Sequence, residues 1–223
     1  CGKPDDPKMD PYPRVVLIPG VGMIATGKDK STAMNTAGLY HRAAAVIRGA
    51  YATGDFASMS PQDAYDVEYW PLELYKLTLA PPEKELARRV AYITGAASGI
   101  GRATARKMAA LGAHVVIADI NAEGAAKVAA EIEKEYGEGR ALAARVDVTD
   151  EAAVRRSFEE AVLYFGGVDI LVANAGLASA TPFEETSVED WDRIQNVLAK
   201  GYFLTAREGY RVMKRQGRGG SIV

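Results

Sequence analysis

The stretch "YITGAASGIGRA", residues 92–103, decides how the rest of the chain is read. It opens apolar and β-branched, passes through small residues, and continues into good helix formers. That order predicts strand, tight turn and helix in direct succession. Three glycines punctuate the turn, in the pattern Thr94-Gly95-x-x-x-Gly99-x-Gly101. Gly95 would let the chain leave the strand sharply, Gly99 would let the backbone approach a bound group, and Gly101 would let the helix pack tightly on the strand. The helix N-terminus then offers unpaired N–H groups and a partial positive charge, a setting that attracts phosphate. A glycine triplet alone is weak, because turns need glycine everywhere. Its place between an apolar strand and a helix makes it a candidate cradle for a pyrophosphate.

Downstream the alternation repeats. "HVVIAD" and "AEGAAKVAAEIEKEYG" form a second strand–helix unit, and "ALAARVDV" and "DEAAVRRSFEEAVLYFGG" a third. The strand "VDILVANAG" follows, then one long helix from Ser187 to about Gln216, with Ser187 and Asp190 as a capping-box-like start and Gly217 as the stop. Short β-branched strands alternating with amphipathic helices predict an α/β fold, a doubly wound parallel sheet covered on both faces. "RGGSIV" reads as the first residues of a further buried strand, so the sheet is expected to be incomplete in this chain.

Three strand ends carry further signals. Asp119 closes the second strand, about 20 residues beyond the glycines, where such folds place an acid on the adenosine ribose hydroxyls. A carboxylate there repels a 2′-phosphate, and Ile120 and Asn121, not an arginine, follow it. This predicts NAD over NADP, although the same acid could cap the next helix. Asp147 of "VDV" could lie beside the adenine, with Thr149 as the cap of the following helix. Asn174-Ala175-Gly176 ends the fourth strand, where small residues leave room for a nicotinamide ribose and Asn174 can tie neighbouring strands together.

T-G-x-x-x-G-I-G, an acid after the second strand, D-V and N-A-G, in that order, resemble the short-chain dehydrogenase/reductase family over residues 89–223. The resemblance implies a Rossmann-like domain with an NAD site lined by Gly95, Ser98, Gly99, Ile100, Gly101, Asp119, Ile120, Asp147, Val148, Asn174, Ala175 and Gly176. It also implies a serine and a Tyr-x-x-x-Lys pair that exchange a proton with the substrate. No convincing stand-in for that set occurs among these residues, so no catalytic residue is assigned. The family's helical asparagine, in a V-N-x-x-G pattern, falls on Leu198 if Gly201 is aligned, with Asn196 two residues early. Either the helix is offset or that asparagine is absent.

Working upstream, "LAPPEKELARR" separates a different pattern, giving a first region over 1–80, a linker over 81–88 and the dehydrogenase-like part over 89–223. The first region reads as a strand "RVVLIPGVG", a helix capped by Ser31, and a second helix starting at Ser60-Pro61 and kinked by Pro71. It resembles the end of a class II aldolase/adducin domain. That domain occurs fused to a short-chain dehydrogenase in bifunctional rhamnulose-1-phosphate aldolase/alcohol dehydrogenases. The fusion implies splitting of a ketose phosphate and NAD-dependent oxidation of the lactaldehyde released. Aligned so, Val21 occupies a zinc ligand's place. His41 and His114 lack partners at metal-ligand spacing and read as structural or solvent-facing, so no metal site is expected here.

The bulk numbers agree with an ordinary globular chain: 223 residues, 48% hydrophobic, 25% charged, net charge −2. That charge gives no reason to expect nucleic acid or an anionic membrane as partner. No apolar run suits a membrane helix or a signal peptide, and Cys1 is the only cysteine. A reducing cytoplasm is therefore the expected compartment. The opening "CGKPDDPKMDPYP" and the closing strand both read as an excerpt of a longer chain. Family resemblance implies a dimer or tetramer acting on a small-molecule substrate. The alternatives are a non-catalytic nucleotide-binding or scaffold piece, and an aldolase activity residing upstream.

Overall fold

Polar caps and prolines set where the first helices begin. The structure, a computed structural model, describes residues 12–79 and 81–223. The opening stretch with Cys1 lies outside the described residues. The chain divides into two compact units, Cys1–Glu83 and Lys84–Val223.

In the first unit, the expected single strand is a hairpin of β1 (Val15–Ile18) and β2 (Gly22–Ala25), paired antiparallel. Gly20 and Gly22 have φ of 77° and 131°, which folds "PGVG" back on itself. Helix α1 (Lys30–Thr53) is capped by Asp29, not Ser31: Thr32 N–H donates to Asp29 Oδ1 at 2.8 Å. Helix α2 (Pro61–Glu68) does start at Ser60, which forms a reciprocal capping box with Asp63. Pro71 breaks rather than kinks the helix. It has no N–H to continue the ladder, so α2 ends at Glu68 and Pro71 starts a new helix, α3 (Pro71–Thr78), at its first position. None of the described residues of this unit is buried.

The second unit is built around β3 (Val90–Thr94), whose side chains alternate between two packed layers. Strands β4 (His114–Asp119), β5 (Ala141–Arg145), β6 (Ile170–Val172) and β7 (Ser221–Ile222) complete a parallel sheet in the order β5-β4-β3-β6-β7. The fold is the expected Rossmann-like α/β arrangement. Ala91 and Ile93 face one cluster, shared with Val115, Ile117, and residues of α4 (Gly99–Ala110) and α5 (Ala122–Tyr136). Val90 and Tyr92 face the other, with Phe158 of α6 (Glu151–Phe165) and Val212 of the last helix. Tyr92 stacks on Phe158 with ring centroids 4.1 Å apart. A fully buried side chain of this size contributes about 1.5–3 kcal/mol.

Three local readings change. Residues 84–88, within the linker expected from the sequence, pack on the second unit, where Leu86 N–H donates to Leu111 O and Lys84 Nζ to Ala110 O. Helix α6 is capped by Asp150, whose carboxylate accepts from Ala152 and Ala153, rather than by Thr149. The single long helix is three segments: α7 (Val188–Gln195), a π-turn over Asn196–Gly201, and α8 (Tyr202–Gln216). Ser187 accepts from Asp190 N–H at its start, and Gly217 ends it in the left-handed region. Among the described residues no helix is long and apolar enough to cross a membrane.

Candidate functional site

The strand order reverses beside β3: β4 follows it on one side and β6 on the other. In open parallel sheets, the crevice for ligands lies outside the carboxyl ends of the strands at such a switch point. The glycine turn between β3 and α4 sits at that point.

Each glycine has a measurable reason. Gly95 has φ of 65°, and a Cβ there would stand 2.9 Å from Ala175 Cα and 3.1 Å from Asn174 Nδ2. A Cβ on Gly101 would run into the carbonyl oxygen of Gly95 and stand 2.6 Å from Asn174 Nδ2. These two glycines close the turn against the end of β6. Gly99 differs. Its φ is 52°, yet a Cβ there would meet nothing within 4 Å. It opens onto free space at the first position of α4. Ser98, the N-cap of α4, makes no side-chain cap hydrogen bond, so its hydroxyl does not occupy the helix's leading N–H groups.

Asp119 lies next to this turn. Its Oδ2 accepts from Ala97 N–H and its Oδ1 from Asn121 N–H, both at 2.9 Å. The helix-cap alternative is taken by a neighbour: Asn121 caps α5 by accepting from Gly124 N–H at 3.0 Å. A carboxylate offers about four acceptor positions, so two remain for a ligand's hydroxyls. Ile100 and Ile120 flank the turn and are largely exposed, at 78% and 63%.

On the other side, Asn174 Nδ2 donates to Thr94 O at 3.0 Å, and Ala175 N–H donates to Thr94 Oγ1 at 2.9 Å. These bonds tie the end of β6 to the end of β3. Thr94 is the residue whose side chain was not foreseen, although it stands first in the glycine motif. Val148 is buried, while Asp147 is exposed and turns its carboxylate onto the backbone and hydroxyl of Thr149 at 2.9 and 2.7 Å. The structure thus gathers Gly95, Gly101, Asn174 and Ala175 in direct contact, with Asp119 joined through Ala97. Asp147 is held by its own loop.

One contact bears on the helix offset. A Cβ on Gly176 would stand 3.1 Å from Leu198 Cδ2, so Leu198 reaches the N-A-G turn, although both it and Asn196 are exposed. Tyr210 and Lys214 repeat a Tyr-x-x-x-Lys spacing on α8, but at the wrong end of the sheet. Two residues beyond Lys214, Gln216 bonds both backbone groups of Val168, just ahead of β6. His114 is buried with its ring 5.1 Å from that of Phe165, and His41 is exposed on α1. Among the described residues no group of three or more His, Cys, Asp or Glu could hold a metal.

A parallel sheet with this reversal, and this glycine turn, defines a Rossmann-like domain. Comparison with known proteins narrows it: the chain belongs to the short-chain dehydrogenase family, whose model matches residues 89–223. A second family, described as the second domain of class II aldolase, matches residues 1–77. The chain is 56% identical over 211 residues to the uncharacterized oxidoreductase YuxG of Bacillus subtilis (strain 168), covering 95% of this chain and 31% of that protein. A short-chain dehydrogenase/reductase from Mycobacterium marinum has a TM-score of 0.59 and 39% identity over 61% of this chain and 55% of its own. A 3-ketoacyl-(acyl-carrier-protein) reductase from Brucella melitensis, complexed with NADH, has a TM-score of 0.56 and 40% identity over 60% of this chain and 55% of its own. The chain spans less than a third of YuxG and about half the length of other curated relatives it matches.

Proposed function

We propose that the second unit holds a nicotinamide dinucleotide, NAD in preference to NADP, as the cofactor part of an oxidoreductase acting on a small alcohol or hydroxyaldehyde. The observation that carries the reading is the carboxylate of Asp119, fixed 2.9 Å from the backbone of the glycine turn. The residues fit the group. Open space at Gly99 and the α4 N–H groups, left uncapped by Ser98, suit a pyrophosphate. Asp119 suits ribose hydroxyls and repels a 2′-phosphate, and Arg102, the basic residue closest to the turn in sequence, is held by Glu131 at 2.6 Å. Val148, with Ile100 and Ile120, would supply apolar walls, and Ala175 and Gly176 room on the β6 side. Bound NAD would supply the hydride acceptor for an alcohol; the protein's share is binding and orientation. The Brucella reductase's complex with NADH supports the same reading.

By this proposal, residues 1–80 are the tail of a class II aldolase-like domain in a bifunctional protein, with lactaldehyde the substrate to try first, and the assembly is a cytoplasmic dimer or tetramer. Titration of the purified chain with NADH and NADPH, followed by nicotinamide fluorescence, tests the core of it. NADH should bind at least about tenfold tighter, and Asp119→Asn should narrow that gap, on the scale of one charge-assisted contact. Equal or tighter NADPH binding sinks the NAD preference, and failure to bind either sinks the cofactor reading. A second reading, for these 223 residues alone, is nucleotide binding without turnover: the Tyr-x-x-x-Lys spacing they contain, Tyr210 and Lys214, lies on α8 and away from the glycine turn. NADH formation from lactaldehyde and NAD by the chain itself would exclude it.

A further inference from the structure

The π-turn Asn196–Gly201 interrupts what would otherwise be one helix, and π-turns inside helices concentrate at functional sites. Here the interruption reaches two places at the carboxyl edge of the sheet. Gly201 is buried, and a Cβ on it would stand 2.7 Å from Val148 Cγ2. Leu198, in the middle of the turn, reaches Gly176, where a Cβ would stand 3.1 Å from its Cδ2. One turn of chain therefore leans on both the β5 and the β6 ends. Leu198 keeps 47% of its surface exposed, an apolar side chain left half open next to the crevice.

The direction of a bound dinucleotide follows from the topology. Its adenosine half is drawn to Asp119 on the β4 side, and its pyrophosphate to the start of α4 beside β3. The remaining half must then lie over β6, toward Asn174, Ala175 and Gly176. We infer that Leu198 is the positioning residue for that half: the π-turn carries an apolar side chain onto Gly176 to wall the β6 end of the crevice and seat the nicotinamide ring. An apolar wall there favours a flat, weakly polar ring and disfavours water. This rests on the cofactor reading above.

NADH and ADP-ribose, which shares everything except the nicotinamide, separate the possibilities when titrated calorimetrically against wild type, Leu198→Asn and Leu198→Met. Leu198→Asn should weaken NADH about tenfold, the scale of apolar packing lost in a pocket, while ADP-ribose changes less than about twofold. Leu198→Met, which keeps volume and apolarity, should stay close to wild type for both. Equal weakening of both ligands in Leu198→Asn would make Leu198 a buttress of the fold and overturn the inference. Unchanged NADH affinity in that variant overturns it too. Should Leu198→Asn fail to melt cooperatively, a Leu198→Ala titration carries the same two outcomes. If wild type binds neither ligand, the cofactor reading itself fails; if it binds both and Leu198 is silent, only this inference does.

Discussion

Helices α1 to α3 and helices α4 to α8 obey similar local rules, yet only the second group encloses buried residues. Asp29 and Ser60 cap helices in the first unit as Asn121, Asp150 and Ser187 do in the second. Around the first set, Leu17, Val21, Leu39, Val46, Trp70 and Tyr75 are all exposed. Around the second, Tyr92, Ile93, Ile117, Ile132 and Leu171 are fully buried. Caps decide where a helix starts, at about 1 kcal/mol each. Burial decides whether the assembled elements resist unfolding.

The sharpest way to break this comparison is to remove a large apolar side chain from each unit. Phe158 is buried against Tyr92 and Gly209, so Phe158→Ala should cost about 3–5 kcal/mol. Leu39 is 67% exposed on α1, and Leu39→Ala should stay within about 0.5 kcal/mol. Urea unfolding followed by circular dichroism reads both. Comparable losses would mean that the two units draw on burial alike, and the contrast would fall.

A smaller effect probes the polar interior of the same layer. Tyr92 Oη and Ser157 Oγ lie 2.5 Å apart, and Ser157 also donates to Val154 O at 2.7 Å. Tyr92→Phe therefore strands no buried hydroxyl and should cost about 1 kcal/mol at neutral pH. Burial pushes the Tyr92 hydroxyl well above its ordinary value of 10.0, with the Ser157 bond opposing. A raised value means stability fully present below about pH 10 and lost as pH rises beyond it, because the unfolded chain ionises first. Thermal melts from pH 8 to 11 should show a steeper alkaline loss in wild type than in Tyr92→Phe. Parallel profiles would assign the alkaline loss to other groups.

The parallel sheet was legible because the second unit's sequence is consistent at every level. β3 and β4 run as expected from "VAYIT" and "HVVIAD", and the turn glycines stand where a Cβ would clash or a positive φ is needed. Some of the misread places are those where two local signals competed. "PGVG" continued an apolar run but carried two positive-φ glycines, and the glycines won. Ser31 and Thr149 are good caps, but Asp29 and Asp150 place a carboxylate at the right step. The π-turn left no trace in the helical periodicity of "NVLAKG"; the contacts it makes are tertiary, Gly201 against Val148 and Leu198 against Gly176. Thr94 was visible but silent, since a hydroxyl accepting from Ala175, in the turn that follows β6, has no local signature.

The smallest effect distinguishes how charges are used in the two units. On α3, Lys76 pairs with Glu73 one turn away at 2.6 Å, which adds nothing to the assembly of separate elements. Between α4 and α5, Arg102 and Arg106 reach Glu131 at 2.6 and 3.3 Å, joining two helices. The hydrogen bond from Arg102 is the main reason the Glu131 carboxyl is held below its ordinary value of 4.5, with nearby positive charges helping and desolvation opposing. A depressed value means stability that is present above about pH 4.5 and lost as pH falls through the folded-state value. Glu131→Gln should therefore melt slightly below wild type at pH 6, with the difference closing as pH drops below 4 and shrinking at 1 M salt, as exposed pairs do. Glu73→Gln should leave the second unit's melt unchanged at every pH. If both variants shift that melt alike, or the Glu131 difference persists in acid, the interhelical pair is not what links α4 to α5, and the side chains packed between them carry the joint alone.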